Sequence, residues 1–562
     1  MYGTRFEVLA ARQIQRAMPI GKVWICGLLL LALFDPRDGL AATYETIDDG
    51  VASLLANVTA EVLGFSSQQV DFADADRELY AVYDEFGLRA LWVTSEGPGR
   101  HAKALYAAVK KAADEGLRSR DYHFPALSRY WESTDTGELS RLDVLLTLAL
   151  IAWVNDVSVG RVYPREKNPE LFARAGDRRG SPVDIVQTFR ESSDPGGHLA
   201  ALLPRHRHYQ GLKRALGRYR ELQQNDGWQP VSVGSTLRPG DRDGRVVAIR
   251  RRLSVTGEFA GRDPGSDLFD EAVAAAVLQF QQKHGLTRDG IVGPQTMAAL
   301  NATVQDKIRL IEMNMERWRW VDHDLQDPHI LVDIAGFNLQ AVANNEVEVE
   351  MRVIVGKRYH ESPIFSDHVR YIEFNPYWNI PPSIARHETI PKFRKDPDYL
   401  TRTHIRIFDG WGENSRELDP ESIGWDHEKN PGRFKFRQDP GPWNALGTMK
   451  FVFPNKYSVY LHDTPDHELF SRASRAFSHG CIRLSEPARL AEFVLALNDP
   501  AWDRAKIEQV VDSKKRTIKS LKDRLAVHII YQTAWTDIDG QIHFSPDVYG
   551  RDIKLKQTLY QP

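Results

Sequence analysis

The residues with the clearest capacity for chemistry lie in the run Arg-Ala-Phe-Ser-His-Gly-Cys-Ile-Arg-Leu, from Arg475 to Leu484. Small or polar residues precede Cys481, and Arg475 and Arg483 bracket it, whereas a buried structural cysteine would more often sit among aliphatic side chains. A thiol attacks carbonyl groups as the thiolate, which forms most readily beside a base or a positive charge. The run therefore predicts a cysteine nucleophile.

Two histidines are candidates for the base that removes the thiol proton. His479 lies two residues before Cys481, and His462 ends the predicted strand Tyr457–His462. Adjacent strands of one sheet could bring His462 beside the thiol, with a main-chain carbonyl or a carboxylate fixing its other ring nitrogen. The residues alone do not choose between the two histidines.

The N-terminus predicts export and makes this thiol more significant. Basic residues precede an uncharged, leucine-rich run from Val23 to Phe34, which is too short to span a bilayer comfortably. Residues 1–41 are predicted to be a signal peptide cleaved after Gly39-Leu40-Ala41, with an uncleaved anchor or a buried helix as alternatives. Cleavage removes Cys26 and leaves Cys481 as the single cysteine, so no internal disulfide is expected.

Charge and motif content argue against several classes of function. The net charge of −3 gives no support to a nucleic-acid partner. No His-Glu-x-x-His pattern or paired cysteine ligands occur, and His206-Arg207-His208 is interpreted as a solvated basic loop in preference to a metal site. We expect neither a metal nor another cofactor.

The length of 562 residues predicts three or four domains, and the pattern of apolar residues changes along the chain. Helical periodicity dominates the first half, and Leu142–Val154 is apolar nearly all round, which predicts a buried helix. The predicted boundaries are a helical scaffold at 42–236, a compact module at 237–302, a connecting helix at 303–327, a β-rich domain at 328–500 and a C-terminal extension at 501–562.

Short apolar or alternating runs predict the strands of the β-rich domain: Ile330–Ile334, Val347–Val353, Val369–Phe374, Met449–Phe453 and Tyr457–His462. Asn344-Asn345 predicts a turn between the first two. A polar insert at about 382–437 has the composition of a lid or binding loop. Arg504–Leu521 is predicted to be a charged helix, followed by a strand at Ala526–Tyr531.

The compact module resembles the small helical peptidoglycan-binding domain of many cell-wall enzymes. The resemblance rests on Phe280-Gln281, His284-Gly285-Leu286, Asp289-Gly290 and Gly293. It implies a three-helix bundle in which many of these residues serve the fold, with glycines ending a helix at Gly285 and shaping the turn at Gly290.

The cysteine run resembles the signature of the L,D-transpeptidases. The matching segments are Ser478-His479-Gly480-Cys481-Ile482-Arg483, His462-Asp463-Thr464, Asn375-Pro376-Tyr377-Trp378-Asn379-Ile380-Pro381, Gln438-Asp439-Pro440-Gly441-Pro442 and Asn444-Ala445-Leu446-Gly447. They are most similar to the large periplasmic subfamily of Gram-negative bacteria. That resemblance implies a multidomain α+β fold: a helical scaffold, a three-helix peptidoglycan-binding module, and a β-rich catalytic domain with a capping insert.

The resemblance also implies roles for particular residues. Cys481 is the nucleophile, His462 is the general base oriented by a main-chain carbonyl, and His479 is a loop residue. Backbone N–H groups of His479, Gly480 and Cys481 are the expected oxyanion donors. Arg483 is expected to organise the loop or bind a carboxylate, and Ser478 to cap the loop or hydrogen bond in the site. Tyr377, Trp378 and Asn379 are expected to line the cleft. The alternative is that the two aromatic residues belong to the core of the sheet and that Asn379 is a turn residue.

The implied reaction is acyl transfer in the periplasm. Cys481 attacks the carbonyl of the third residue of a tetrapeptide stem, D-alanine leaves, and the side-chain amine of a second stem forms a 3→3 crosslink. Donor and acceptor stems are thus the expected partners, with cell-wall synthesis proteins as further candidates. An L,D-carboxypeptidase, a lipoprotein-anchoring transferase and an idle wall-binding scaffold are the alternatives.

Overall fold

The computed structural model describes residues 44–56, 72–162, 180–261, 265–423, 425 and 431–560. The predicted signal peptide lies outside these residues. The chain divides into two compact units, Met1–Leu203 with Leu555–Pro562, and Pro204–Lys554. The predicted multidomain α+β class is confirmed.

The first unit is mainly helical. Its helices are α1 (Ile47–Ala56), α2 (Phe72–Glu85), α3 (Arg100–Lys110), α4 (Phe124–Tyr130), α5 (Thr136–Val159), α6 (Pro182–Glu191) and α7 (Pro195–Ala201), with a short hairpin of β1 (Val93–Thr94) and β2 (Gly97–Pro98). Helix α5 contains the predicted buried segment and supplies much of the core. Among the described residues it alone has the length and composition of a membrane span, and 61% of its most apolar window is buried inside the protein.

The second unit begins with α8 (Arg207–Gln224), where one sequence interpretation is wrong. His206 is the N-cap of this helix and accepts a hydrogen bond from the main-chain N–H of Tyr209. His208 is buried and stacks on Trp318, with ring centroids 5.1 Å apart. His206 is half-buried and lies against the same indole, so the segment is not a solvated loop. Within the described ranges, no group of three or more ligating side chains could hold a metal ion.

The compact module has the three helices that the resemblance implied, α9 (Gly244–Val255), α10 (Glu271–Lys283) and α11 (Pro294–Asn301). Gly285 and Gly290 adopt φ of +61° and +70°, which suits glycine at a helix end and in a turn. The buried amide of Gln281 donates to Asp289 Oδ1 and accepts from the N–H of Gly290. This residue of the resemblance therefore serves the fold. Helix α12 (Val304–Arg319) follows.

The β-rich part forms a nine-stranded sheet in the described chain. Its strands are β3 (His329–Asp333), β4 (Asn338–Ala343), β5 (Glu346–Gly356), β6 (Phe365–Phe374), β11 (Met449–Val452), β12 (Leu461–His462), β13 (Ala476–Ser478), β14 (Ile482–Leu484) and β15 (Thr517–Ile530). They lie in the order β13-β5-β14-β12-β11-β6-β15-β3-β4, and β4 also pairs with β5. Asn344 and Asn345, with φ of +54° and +61°, make a turn at the predicted residues. The turn joins β5 to β4, a strand that the sequence did not predict, and not to β3 as expected.

The segment beyond residue 500 contributes to this sheet. Helix α16 (Pro487–Ala496) is followed by α17 (Arg504–Asp512), which ends nine residues before the predicted end at Leu521. The prediction is wrong there because β15 starts at Thr517 and pairs with both β6 and β3. Lysines and an arginine on β15 disguise its alternation, and its register with β6 shifts between Ser520 and Leu525. The last helix is α18 (Arg551–Tyr560).

The insert has a sheet and a core of its own, which the sequence did not predict. Its strands are β7 (Trp378–Ile380), β8 (Ile405–Phe408), β9 (Glu417–Leu418) and β10 (Lys435–Gln438), in the order β7-β10-β8-β9. Short helices α13 (Pro382–Ile384), α14 (Ile390–Lys395) and α15 (Tyr399–Arg402) lie between β7 and β8. Buried side chains including Ile380, Ile407 and Phe436 pack together beneath this sheet.

The hairpin β16 (Ala534–Thr536) and β17 (Ile542–Phe544) completes the second unit.

Candidate functional site

The parallel pairing of β12 and β14 brings the predicted base and nucleophile onto neighbouring strands. Leu461 pairs with Ile482 and His462 pairs with Arg483, so Cys481 precedes β14 beside Tyr460. Because side chains alternate along a strand, Tyr460, His462, Cys481 and Arg483 are placed on one face of the sheet. Within the described chain no hydrogen bond joins Cys481 Sγ to His462 or His479.

His462 is oriented by the main chain. His462 is buried, and its Nδ1 lies 2.5 Å from the carbonyl oxygen of Asp463. Because a carbonyl oxygen only accepts hydrogen bonds, Nδ1 must carry the ring proton. This tautomer leaves Nε2 as the basic nitrogen. Burial lowers the pKa of His462 to about 3, and the positive charges of Arg483 and Lys450 act in the same direction. The imidazole is therefore neutral at neutral pH.

Cys481 is partly exposed, and its Sγ lies 3.9 Å from the carbonyl oxygen of Ser458. Burial raises the pKa of the Cys481 thiol. The main-chain N–H and side chain of Tyr460, followed by the charges of Lys450 and Arg483, act against that increase. The resting site thus holds a neutral thiol beside a neutral imidazole, with donors and cations poised to stabilise a thiolate.

The loop before Cys481 is held by two serines. Ser478 Oγ accepts from the N–H of Gly480 at 3.1 Å and donates to the carbonyl of Cys481 at 2.5 Å. Ser362 Oγ donates to the carbonyl of Gly480 at 2.7 Å. Gly480 has φ of +111°, a conformation that favours glycine. Ser478 therefore caps the loop, which is one of its two predicted roles.

This arrangement changes which backbone donors are available. Three N–H groups were predicted as oxyanion donors, and that of Gly480 is already bonded to Ser478 Oγ. The N–H groups of His479 and Cys481 make no hydrogen bond to any other residue in the described part of the chain. These two remain as candidate donors.

His479 points away from the thiol and toward the insert. Its Nε2 hydrogen bonds to a carboxylate oxygen of Glu388, and Lys357 Nζ lies 3.5 Å from the same nitrogen. Lys392 Nζ lies 3.8 Å from the other oxygen of Glu388. His479 thus links the cysteine loop to the insert, and neither Glu388 nor Lys357 was predicted from the sequence.

The remaining predicted residues lie at different distances from the chemistry. Arg483 Nη1 pairs with Asp466 Oδ2 at 2.7 Å, which organises the loop after His462. The side chain of Trp378 interacts with the Tyr460 side chain that faces Cys481. The Arg437 guanidinium carbon lies 4.5 Å from the centroid of the Tyr377 ring. Asn379 is exposed in the middle of β7. The structure joins Trp378 to the thiol through Tyr460 and shows no such link for Tyr377 or Asn379 in the described residues.

Tyr460 and Lys450 are the residues beside the thiol that sequence reasoning missed. Tyr460 had a detectable signal, because it lies two residues before His462 on a predicted strand and so shares its face. Lys450 had none, since its place opposite His462 depends on the register between β11 and β12.

Comparison with protein families agrees with this geometry. Residues 327–514 match the YkuD family, described as "L,D-transpeptidase catalytic domain". These residues form a YkuD catalytic domain. Residues 77–216 match the family "Scaffold domain", and residues 242–300 match "Putative peptidoglycan binding domain". The YkuD match contains Cys481, His462 and the whole insert.

Individual relatives cover less of the chain. A Haemophilus influenzae protein named "Putative L,D-transpeptidase" is 34% identical over 247 residues, which are 44% of this chain and 48% of the relative. The chain therefore spans about half the length of that relative. A Mycobacterium tuberculosis protein named "N-acetylmuramoyl-L-alanine amidase CwlM" is 41% identical over 75 residues, 12% of this chain and 18% of that protein.

Two solved structures of L,D-transpeptidases are also similar. The one from Xylanimonas cellulosilytica is 18% identical, with 54% of this chain and 100% of that chain covered and a TM-score of 0.16. The one from Stackebrandtia nassauensis is 10% identical, with 53% and 97% covered and a TM-score of 0.20.

Proposed function

We propose that the protein is an L,D-transpeptidase that forms 3→3 crosslinks between peptidoglycan stems, with Cys481 as nucleophile and His462 as general base. The observation that carries this proposal is that His462 lies on β12 and Cys481 lies directly before the neighbouring parallel strand β14, with Nδ1 of His462 fixed by the Asp463 carbonyl. The missing hydrogen bond between the two side chains is common in free enzymes, where catalytic contacts tighten only with substrate bound.

The first step acylates the cysteine. His462 Nε2 takes the thiol proton, and Sγ attacks the carbonyl carbon at the L-centre of the third stem residue. The N–H groups of His479 and Cys481 receive the developing oxyanion. Collapse of the tetrahedral intermediate breaks the amide bond, and His462 gives its proton to the departing D-alanine nitrogen.

The second step releases the acyl group to an amine. The side-chain amine of another stem attacks the thioester, His462 takes one amine proton, and the thiolate leaves. Water competes with the amine at this step, so exclusion of water favours crosslinking over hydrolysis. The insert, joined to the cysteine loop through Glu388 and His479, is suited to that exclusion.

The location follows from the substrate. Peptidoglycan lies outside the cytoplasmic membrane, so we infer that the protein acts there, in the periplasm, with residues 1–41 as export signal or anchor. The module at residues 242–300 would hold the enzyme on the wall.

Purified protein incubated with isolated tetrapeptide stems tests the function. Mass spectrometry should show a crosslinked dimer formed with loss of D-alanine, and Cys481→Ala should give none. Free tripeptide as the sole product would favour the carboxypeptidase, and attachment of the stem to an added lipoprotein lysine peptide would favour the anchoring transferase. Undiminished crosslinking by Cys481→Ala would overturn the mechanism, and binding to sacculi without any product would identify an idle scaffold.

A further inference from the structure

A row of charged side chains crosses the sheet at the level of His462. Strand β11 pairs with β12 so that Lys450 lies directly opposite His462, and β14 places Arg483 on its other side. Strand β6 places Glu373 opposite Lys450. Directly paired residues project to the same face of a sheet, so these four side chains share the face that carries Cys481.

Lys450 has no carboxylate of its own in this row. Its neighbour Glu373 is paired with Arg516 through Nε, and no ion pair of Lys450 exists among the described residues. Instead, Lys450 Nζ lies 4.0 Å from the centroid of the Tyr460 ring. The ammonium is partly buried and is held by the negative face of an aromatic ring, which leaves its charge available to a nearby anion.

Tyr460 stands between this ammonium and the thiol. Its main-chain N–H and side chain both face Cys481, so the lysine, the tyrosine and the thiol follow one another across the sheet face. Burial raises the pKa of Cys481 and lowers the pKa of Lys450. Their mutual attraction opposes both shifts, since Lys450 acts to lower the pKa of Cys481 and Cys481 acts to raise the pKa of Lys450. The other charged or titratable groups at this point of the face are Glu373 with its partner Arg516, Arg483 and His462. The His479 ring is instead bonded to Glu388.

We propose that Lys450 is a positioning residue of the acyl-transfer site, whose ammonium stabilises the Cys481 thiolate as His462 removes the thiol proton. The electron pair of the broken S–H bond stays on Sγ, and the proton passes to Nε2 of His462. The same ammonium opposes the imidazolium that forms, so it favours transfer of this proton to the departing amine. This role rests on the proposed function, because that function is what makes the thiolate a nucleophile.

The test measures thiolate formation without any wall substrate. Cys481 in the purified full chain is alkylated with iodoacetamide between pH 6 and 11, and the labelled fraction is followed by intact mass. Lys450→Met should move the midpoint of the pH profile to higher pH, and a midpoint one pH unit higher should slow labelling at pH 7 by about tenfold. Lys450→Arg, which keeps the charge, should retain the wild-type midpoint.

Lys456→Met is the matched control, because exposed Lys456 also lies over a tyrosine ring, that of Tyr457, at 5.2 Å. Its profile should match the wild type. Thermal melts establish that each variant is folded. If Lys450→Met does not fold, the pH profile is measured on Lys450→Gln.

A purely structural role for Lys450 would change the labelled amplitude and leave the midpoint in place. A Lys450→Met or Lys450→Gln midpoint equal to that of the wild type overturns the proposal, as does an equal change of midpoint in Lys456→Met. A chain that shows the expected change of midpoint but forms no crosslinks would contradict the proposed function and leave the role of Lys450 standing.

Discussion

His462 Nδ1 lies 2.5 Å from the main-chain oxygen of Asp463, and this one contact fixes the tautomer of the proposed base. Because an orienting carbonyl cannot be removed by side-chain substitution, the imidazole itself has to be changed. His462→Ala should lower kcat for crosslinking by roughly 100- to 10,000-fold, the usual contribution of general acid–base catalysis. Stem turnover followed by mass spectrometry measures this. Exposed His467→Ala should retain activity, and equal losses in both variants would contradict the assignment.

The lowered pKa of His462 predicts how this activity responds to pH. With a pKa of about 3, the imidazole is already deprotonated from pH 5 upward, so it produces no acid limb in that range. Burial raises the pKa of Cys481, so the thiol stays protonated at neutrality until His462 takes its proton, and kcat/KM should be nearly level from pH 5 through neutrality. A profile of kcat/KM that falls below pH 6.5 with the midpoint of an ordinary histidine would contradict this.

Gly480 should tolerate no side chain in the cysteine loop. Its φ of +111° would strain any other residue by on the order of 1–3 kcal/mol, and relaxation would displace the adjoining N–H groups of His479 and Cys481. Gly480→Ala should therefore lower crosslinking about tenfold or more, while the chain remains folded. Gly412→Ala in the insert, where an added Cβ would meet only Ser415 Oγ at 3.9 Å, is the control. Wild-type rates for Gly480→Ala would show that the loop does not supply the oxyanion donors.

The contact between Glu388 and His479 should govern the choice between amine and water. Glu388→Gln removes the charge that joins the insert to the cysteine loop, so the insert should exclude water less well. We expect the ratio of tripeptide to crosslinked dimer to rise several-fold, with less effect on total D-alanine release. Glu421→Gln, an exposed glutamate of the same insert, should leave the ratio unchanged. An unchanged ratio of tripeptide to dimer in Glu388→Gln would show that this contact with the insert does not help to exclude water.

The second unit should lose stability in mild acid. Burial lowers the pKa of His206 to about 3 and that of His528 to about 4, both below the value near 6.5 of an unfolded chain. The unfolded state therefore binds more protons below pH 6.5, and the stabilisation that is complete above that pH is lost as the pH falls toward 3–4. Calorimetry between pH 7 and pH 5 should show a decrease on the order of 1 kcal/mol for each histidine.

His206→Asn tests this stability prediction, because asparagine can still cap α8 but does not titrate. The variant should lose less stability between pH 7 and pH 5 than the wild type. Exposed His467→Asn should keep the wild-type slope. A wild-type dependence of stability on pH in His206→Asn would contradict a contribution from His206.

The local parts of the site could be predicted from the sequence, and the long-range parts could not. The strand ending at His462 and the polar run before Cys481 are short segments whose types and spacing are informative by themselves. Lys450 required the register of β11 against β12, which no local pattern encodes. The core of the insert joins Ile380 to Phe436 across more than fifty residues, and the intervening charges concealed it.

Tertiary contacts caused the other differences between the predicted and the observed structure. His206 and His208 look solvated beside Arg207, but His208 is buried in a stack on Trp318 and half-buried His206 packs against the same indole. The first half of strand β15 carries Lys519, Lys522 and Arg524, so its sequence resembled a charged helix, but it pairs with β6, and β15 also pairs with β3. In both cases tertiary contacts outweighed local composition.

A covalent acyl-enzyme on Cys481 would be the most direct evidence for the proposed reaction. The purified chain is mixed with a tetrapeptide stem, quenched in acid within seconds, and examined by intact mass and peptide mapping. We expect an adduct equal to the stem minus D-alanine, attached to Cys481, absent in Cys481→Ala and formed much more slowly in His462→Ala. D-alanine release at the wild-type rate from a chain that carries no adduct on Cys481, or from Cys481→Ala, would contradict the proposed reaction.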